Sequence, residues 1–337
     1  MKSILTTLLV ALVAIFSTSS ALHSAETLPA QLSDAEYWQM ISGFSEPSGY
    51  FQYPIITSNE ISYQSVLPAL MRTPRSGGAY LGVGPEQNFT YIAALRPRIA
   101  FIFDIRRDMM LEHLMYKSIF EMSANRVEFV ANLFSRKAPA QLTADSPVEI
   151  IFQNFARVPV DTAGIDEHLK EILDRLKTKH HFALTADDER QIRAIYRLFA
   201  REGVMSFSSS FRSPGYAALM TMTDNSGKNW SYLATKDSYD RIRAMHQQNL
   251  IVPIVGDFAG PKAIRAVGQY LKDHGSTVHA FYISNVEDYI RAWQQYAGNI
   301  GALPVDTSSV FIVWSTAGMT TLSSMNGFAR YQGSYRR

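Results

Sequence analysis

Apolar positions along the chain follow two alternating patterns. Short, largely uninterrupted apolar runs occur at Gly78–Val83, Arg98–Asp104, Leu250–Val255, Thr277–Ile283 and Ser309–Trp314, several of them closed by a glycine, an acid or a polar pair. Runs of this length mark strands buried on both faces of a parallel sheet. Between them, apolar residues return at helical spacing. Leu111, Leu114, Met115, Ile119 and Met122 share one face of a helix over 108–122. Ile264, Val267 and Leu271 share one over 261–273, stopped by Gly275. Further helices are expected over 88–95, 126–135, 237–248 and 286–297. A short one is expected over 33–43, where Ser33 and Glu36 stand at capping-box spacing. Strands alternating with helices at this spacing predict an α/β domain, a parallel sheet with helices on both faces.

Two stretches interrupt the alternation. Residues 45–75 are rich in Pro, Ser, Tyr and Asn and read as an irregular cap. Residues of about 138–236 read as a helical and hairpin insertion between strands two and three. Leu169, Ile172, Leu173 and Leu176 keep helical spacing, as do Ile192, Ile195, Tyr196 and Phe199, and Thr185 with Asp188 marks the second helix start. Residues 216–222 and 230–235 flank the polar turn Asp224–Asn229, which predicts a β-hairpin. The resulting division is a cap segment over 26–75 and an α/β domain over 76–337. Residues 1–25 have the form of a secretory signal peptide: Lys2, an apolar Ile4–Phe16, then small residues with cleavage expected after Ala21 or Ala25. The apolar stretch of ~13 residues is short of the ~20 that span a bilayer, so a periplasmic or secreted protein is expected, the alternative being an uncleaved anchor.

Composition narrows the chemistry. The 337 residues are 47% apolar and 18% charged with a formal net charge of +2, which excludes a disordered chain and a general nucleic-acid binder. Cysteine is absent, so disulfides, thiolate nucleophiles and cysteine-based metal sites are excluded. There is no G-x-S-x-G elbow and no H-E-x-x-H, and Ser226-Gly227-Lys228 lacks the spacing of a phosphate-binding loop. His180 and His181 are adjacent and diverge on a helix. Ser206–Ser210 is a polar run with no base beside it. No metal is implied.

What remains is a set of polar stretches at strand ends: Gly82–Asn88, Asp104–Arg107, Gly256–Phe258 and Ser284–Glu287. In open α/β sheets, ligands bind outside the carboxyl ends of the strands. Gly82 and Gly84 allow a tight turn and close approach of a ligand. Asp104, about 20 residues further on, is placed to accept hydrogen bonds from both hydroxyls of a ribose; the alternative is a turn and a surface acid. Asp257 either contacts the ligand or caps the next helix. Ser284, Asn285 and Glu287 open the segment after the fourth strand, where one of them is an ordinary N-cap. Arg106 and Arg107 either meet an anionic ligand or are solvated helix-start residues.

The unit of strand, Gly82-Val83-Gly84, helix, strand and Asp104 resembles the nucleotide-binding half of Rossmann-like methyltransferases that use S-adenosylmethionine (SAM). Over nearly the whole chain, Ser45-Glu46-Pro47, Ser58-Asn59-Glu60, Gly82-Val83-Gly84-Pro85-Glu86-Gln87-Asn88-Phe89-Thr90-Tyr91-Ile92, Asp104-Ile105-Arg106-Arg107, Val255-Gly256-Asp257-Phe258-Ala259-Gly260 and Ser284-Asn285-Val286-Glu287 resemble an uncharacterised bacterial protein family regarded as methyltransferase-like in fold. The resemblance implies SAM as cofactor. It places Gly82, Gly84, Glu86, Asn88 and Asp104 at the cofactor loop and ribose, Asp257 at the base, and Ser284, Asn285 and Glu287 at the acceptor. It also implies that Asn59 and Glu60 close over the site. Two positions depart from the methyltransferase pattern. Tyr80 stands where an acid is usual, and Glu86 replaces the third glycine, where a carboxylate repels a pyrophosphate. Export adds a tension, because SAM is a cytoplasmic metabolite. Two functions are therefore expected in parallel: a methyltransferase on an unknown acceptor, or a non-catalytic exported protein that retains the fold and binds a small molecule or another protein.

Overall fold

A computed structural model describes residues 27–53, 55–72, 77–202, 214–315 and 317–328. The segment 1–25 and the Ser206–Ser210 run lie outside the described residues. The apolar runs form β1 (Ala79–Val83), β2 (Ile99–Asp104), β3 (Ile251–Val255), β4 (Val278–Ser284) and β5 (Val305–Trp314), joined by β6 (Thr320–Ser324). They make one six-stranded sheet in the order β3-β2-β1-β4-β5-β6. The first five strands pair in parallel, and β6 pairs antiparallel with β5.

The centre of the sheet follows from the runs themselves. Leu81 lies beside Phe101 on one side and Phe281 on the other, all fully buried. Each such side chain removed from water contributes roughly 1.5–3 kcal/mol. Pro253 cannot donate to a ladder and is tolerated because β3 is an edge strand. That edge is covered: the Tyr37 hydroxyl donates to the Ile251 carbonyl at 3.0 Å, and the Glu46 amide to the Val255 carbonyl at 2.8 Å.

The helices are α1 (Asp34–Phe44), the one-turn α2 (Leu67–Leu70), α3 (Gln87–Leu95), α4 (Arg107–Met122), α5 (Arg126–Phe134), α6 (Val148–Phe155), α7 (Thr162–Asp174), α8 (Ala186–Glu202), α9 (Tyr216–Thr221), α10 (Lys236–Gln247), α11 (Ala263–Asp273) and α12 (Trp293–Gly301). Right-handed crossovers place α3 and α4 on one face and α11 and α12 on the other. Accordingly, α3, α4 and α10 pack together, and α11 packs against α1 and α12. The capping box of α1 is formed, with the Ser33 amide donating to Glu36 Oε2 at 2.7 Å and the Glu36 amide to Ser33 Oγ at 3.2 Å. Among the described residues, no helix is long and apolar enough to cross a membrane.

Three expectations are corrected. The stretch 216–222 is not a strand: Tyr216, Ala217, Leu219 and Met220 bury one face of helix α9. No hairpin forms, because the facing segment satisfies its amides with side chains instead, Trp230 donating to Gln64 Oε1 at 2.7 Å and Tyr232 to Thr90 Oγ1 at 3.3 Å. The single helix expected over 286–297 is a 3-10 turn at Val286–Tyr289 followed, after a break, by α12. Tyr289 there meets Phe51 of the cap edge-on at 5.1 Å, a tertiary contact that local propensity does not encode. The sheet is mixed, because part of the polar tail turns back as β6 through Gly318 at φ +76°.

After β3 the chain returns to the far side of β1 to form β4. The strand order therefore reverses at β1 and β4, and the crevice outside their carboxyl ends is the expected ligand position.

Candidate functional site

A cavity of about 740 Å³ lies in that crevice. Val83 and Gly84 at the end of β1, Asp104 at the end of β2, Gly256 and Asp257 after β3, and Tyr282, Ser284 and Asn285 at the end of β4 form its floor and walls. The cap supplies the roof, through Phe51, Ile55, Asn59 and Glu60.

The roof is fastened by carboxylates that cross the seam in both directions. Glu46 of the cap accepts the amides of Lys262 and Ala263, each at 2.8 Å, and of Asp257 at 3.3 Å. Glu86, after β1, reaches up to accept the Thr57 hydroxyl at 2.6 Å and the Ser58 amide at 3.3 Å. Glu60 reaches down. Its Oε1 accepts the Tyr282 hydroxyl and the Ser284 hydroxyl, the latter at 2.5 Å, and its Oε2 accepts the Gln87 amide group at 3.2 Å. The Arg106 guanidinium donates to the Ile55 carbonyl at 2.5 Å.

The predicted residues separate into two groups. Gly84, Asp104, Asp257, Ser284 and Asn285 line the cavity together; Gly82, Glu86, Asn88 and Glu287 do not. Gly84 has φ +80°, a backbone that side chains disfavour, and its carbonyl accepts the buried His113 Nε2–H at 2.9 Å. Gly82 serves the loop from within: a Cβ there would fall 1.9 Å from Asn88 Oδ1. Asn88 is fully engaged in shaping the turn. Its Oδ1 accepts the Tyr80 hydroxyl at 2.7 Å, and its Nδ2 donates to the Val83 and Pro85 carbonyls at 3.0 and 2.8 Å. That contact also places Tyr80, the residue in the usual acid position. Glu287 points away and accepts the Tyr296 hydroxyl at 2.8 Å. Arg107 leaves the site for a two-point pair with Asp188 at 2.6 and 2.8 Å.

Asp104 is the strand-end acid with an oxygen to offer. Its Oδ1 accepts the Arg106 amide at 2.8 Å, and Oδ2 has no protein partner among the described residues. Burial pushes its carboxyl up to about 6, against the opposing pull of Arg106. Asp257 Oδ1 accepts the Ala259 amide at 2.8 Å, a local turn. Ser284 sits at φ +51°, in the left-handed region unusual for a non-glycine, which turns its hydroxyl onto Glu60. Asn285 donates to Asp288 at 3.2 Å.

The glycine turn offers few donors to an anion. The Gly84 amide bonds the Phe103 carbonyl at 3.0 Å, Pro85 has no amide hydrogen, and the Asn88 amide bonds the Pro85 carbonyl at 3.3 Å. Among the described residues, the cavity therefore carries the carboxylates of Glu60, Asp104 and Asp257 against the single guanidinium of Arg106, itself paired with Asp104 and Asp108. Beneath the turn, burial raises Glu86 to about 7 and raises Glu112 well above the carboxylate range. It lowers His113 to about 4, so that imidazole is neutral.

A protein-family model matches residues 55–333. The chain belongs to the DUF7790 family, a domain of unknown function. No curated protein matches it. The DUF7790 match takes in every strand of the sheet, Glu60 and Glu86, and begins after Glu46. Tyr282 and the aromatic roof are not among the candidate residues of the sequence, and Gln87 stands there within Gly82–Asn88 without a role of its own. Tyr282 reads there as one more core aromatic, and only its place one residue before the end of the fourth run points to the site.

Proposed function

We propose that the cavity binds a nucleoside without phosphates, of which SAM is the best-fitting kind, at the carboxyl ends of β1 and β2. The observation that carries this reading is Asp104, which keeps one oxygen without a partner among the described residues and lines the same cavity as the left-handed turn at Gly84. A carboxylate there accepts both hydroxyls of a ribose. A dinucleotide fits poorly, because a pyrophosphate would meet the acidic lining and a turn in which the Gly84 and Asn88 amides are already bonded and Pro85 has none. A positively charged sulfonium suits the same lining. When bound, SAM supplies an electrophilic methyl group; the chain's own residues hold the ribose at Asp104 and keep the acceptor aligned under the roof. The fold, a mostly parallel Rossmann-like sheet, supports the methyltransferase-like reading by analogy.

A second reading is a non-catalytic exported binding protein. One observation favours it: the Ser284 and Asn285 side chains bond Glu60 and Asp288, and Glu287 lies outside the cavity, so none of the three faces an acceptor unengaged. Calorimetric titration with SAM, S-adenosylhomocysteine, adenosine and NAD tests the nucleoside reading. SAM-type binding that disappears in Asp104→Ala supports it; no binding of any adenosine ligand refutes it. Methyl transfer from labelled SAM to cell-envelope extracts then separates enzyme from binder. Export is inferred from residues 1–25, and sequencing of the mature N-terminus tests it: an intact Met1 on a cytosolic protein overturns it.

A further inference from the structure

The cavity wall opposite Asp104 has a chemistry that the nucleoside reading does not use. Glu60 is 2% exposed, and all three groups that bond its carboxylate are neutral: two hydroxyls and an amide. Among the described residues, no cation is paired with it. Arg106 is held by Asp104, Asp108 and the Ile55 carbonyl, Arg107 by Asp188, and Lys262 donates to the Ser45 carbonyl at 2.9 Å. A buried carboxylate with no cationic partner is costly, and neutral donors offset only part of that cost. Burial raises the Glu60 carboxyl against these hydrogen bonds, as expected for a charge lacking its counter-ion.

The roof above it is aromatic. Phe51 meets Tyr53 and Tyr289 edge-on at 5.5 and 5.1 Å, and Tyr50 and Trp314 line the cavity with them. Tyr50, Tyr53 and Tyr289 are exposed at its mouth although they are large and apolar. Aromatic faces attract cations, most strongly where water is excluded. An anionic ligand would find no uncommitted cation here, and a neutral one would leave Glu60 uncompensated.

We propose that this half of the cavity binds an organic ammonium ion, its charge paired with Glu60 and its apolar body held among the rings of Phe51, Tyr53 and Tyr289. The proposal does not require a nucleoside in the other half. If both sites are filled, the ammonium compound occupies the acceptor side.

The test is isothermal titration of the full chain at neutral pH with three probes of one shape: benzylamine, benzyl alcohol and benzoate. Benzylamine is expected to bind at least about tenfold more tightly than benzyl alcohol, with benzoate weakest, and added salt should narrow the gap. In Glu60→Gln, whose amide oxygen still accepts from Tyr282 and Ser284, the preference for amine over alcohol should fall below about threefold. Phe51→Ala should weaken benzylamine by about three- to tenfold. Equal binding of amine and alcohol, absence of amine binding, or an undiminished preference in Glu60→Gln overturns the proposal. The comparison of probes uses the unaltered chain, so it stands even if a variant fails to fold. The nucleoside reading is tested separately through Asp104→Ala, so either can fail alone.

Discussion

Glu86 allows a quantitative test of how the cap is fastened. Its carboxyl is fully buried beneath the glycine turn, bonded by Thr57 and Ser58, with Oε2 lacking a partner. Burial raises it from an ordinary 4.5 to about 7. A raised carboxyl means that the folded state holds its proton more tightly than the unfolded chain. The associated stability is fully present below about pH 4.5 and is lost as pH rises through about 7. At about 1.4 kcal/mol per pH unit, the full loss is about 3 kcal/mol. The unaltered protein does not display this term alone, because buried Glu112 and Glu60 act in the same direction and neutral His113 and His246 in the opposite one. The difference between wild type and Glu86→Gln removes the shared Glu60, His113 and His246 terms and keeps Glu112 only through its repulsion with Glu86. Glutamine keeps the chain length and an oxygen for the Thr57 hydroxyl, and it does not titrate. Urea unfolding of both proteins at steps from pH 4 to 9 should show wild type losing about 3 kcal/mol relative to the variant, mostly between pH 4.5 and 7. A flat difference would mean that Glu86 ionises as if solvated, and the sealed seam between turn and cap would be refuted.

Three further outcomes are expected. Because Asp104 is raised to about 6, its ionised fraction rises about tenfold from pH 5 to 7; adenosine affinity should rise by about that factor in wild type and stay flat in Asp104→Asn, as read by calorimetry. Glu46→Ala removes the acceptor of the Asp257, Lys262 and Ala263 amides and should cost about 2–4 kcal/mol in urea melts, with faster proteolytic cutting within 45–60. Glu112 is fully buried with neither oxygen bonded, so Glu112→Met should stabilise the protein by about 1–3 kcal/mol at neutral pH; a loss of stability there would show that the carboxyl has an undetected partner.

The sheet was legible in the sequence because burial on both faces leaves an unbroken apolar run, as in Ile99–Phe103. The shared edge was legible for the same reason: parallel strands deliver their carboxyl ends to one side, so Gly84, Asp104, Asp257, Ser284 and Asn285 converge without any knowledge of side-chain direction. Direction is what the pattern does not carry. Glu86 and Gln87 are neighbours on one turn, yet one faces the cap anchor and the other the cavity. Asn88 belongs to the same string and is consumed within it. The roof was illegible in a different way. Phe51, Tyr53 and Glu60 lie in a stretch with no periodicity, and their partners are remote: Glu60 bonds Ser284 across 224 positions. The misread hairpin and the split of 286–297 share this cause, since the Trp230 amide bonds the remote Gln64 and Tyr289 meets the remote Phe51.

The seam also explains why acids, rather than apolar residues, join cap to domain. Glu46, Glu60 and Glu86 each exchange hydration for hydrogen bonds, so closing the roof yields less than the number of bonds suggests. Glu60 and Glu86 are raised by burial, which marks the desolvation that closure leaves uncompensated. An apolar seam of the same area would hold the roof more firmly but would place no charge beside a ligand. Glu86 lies outside the cavity and only fastens the roof, whereas Glu60 both fastens it and faces the ligand. A cation arriving at Glu60 would relieve part of that cost and tighten the cap through Gln87 and Ser284. Roof and pocket are thus one device, and the irregular segment 45–60 is as much a part of the site as the strand ends it covers.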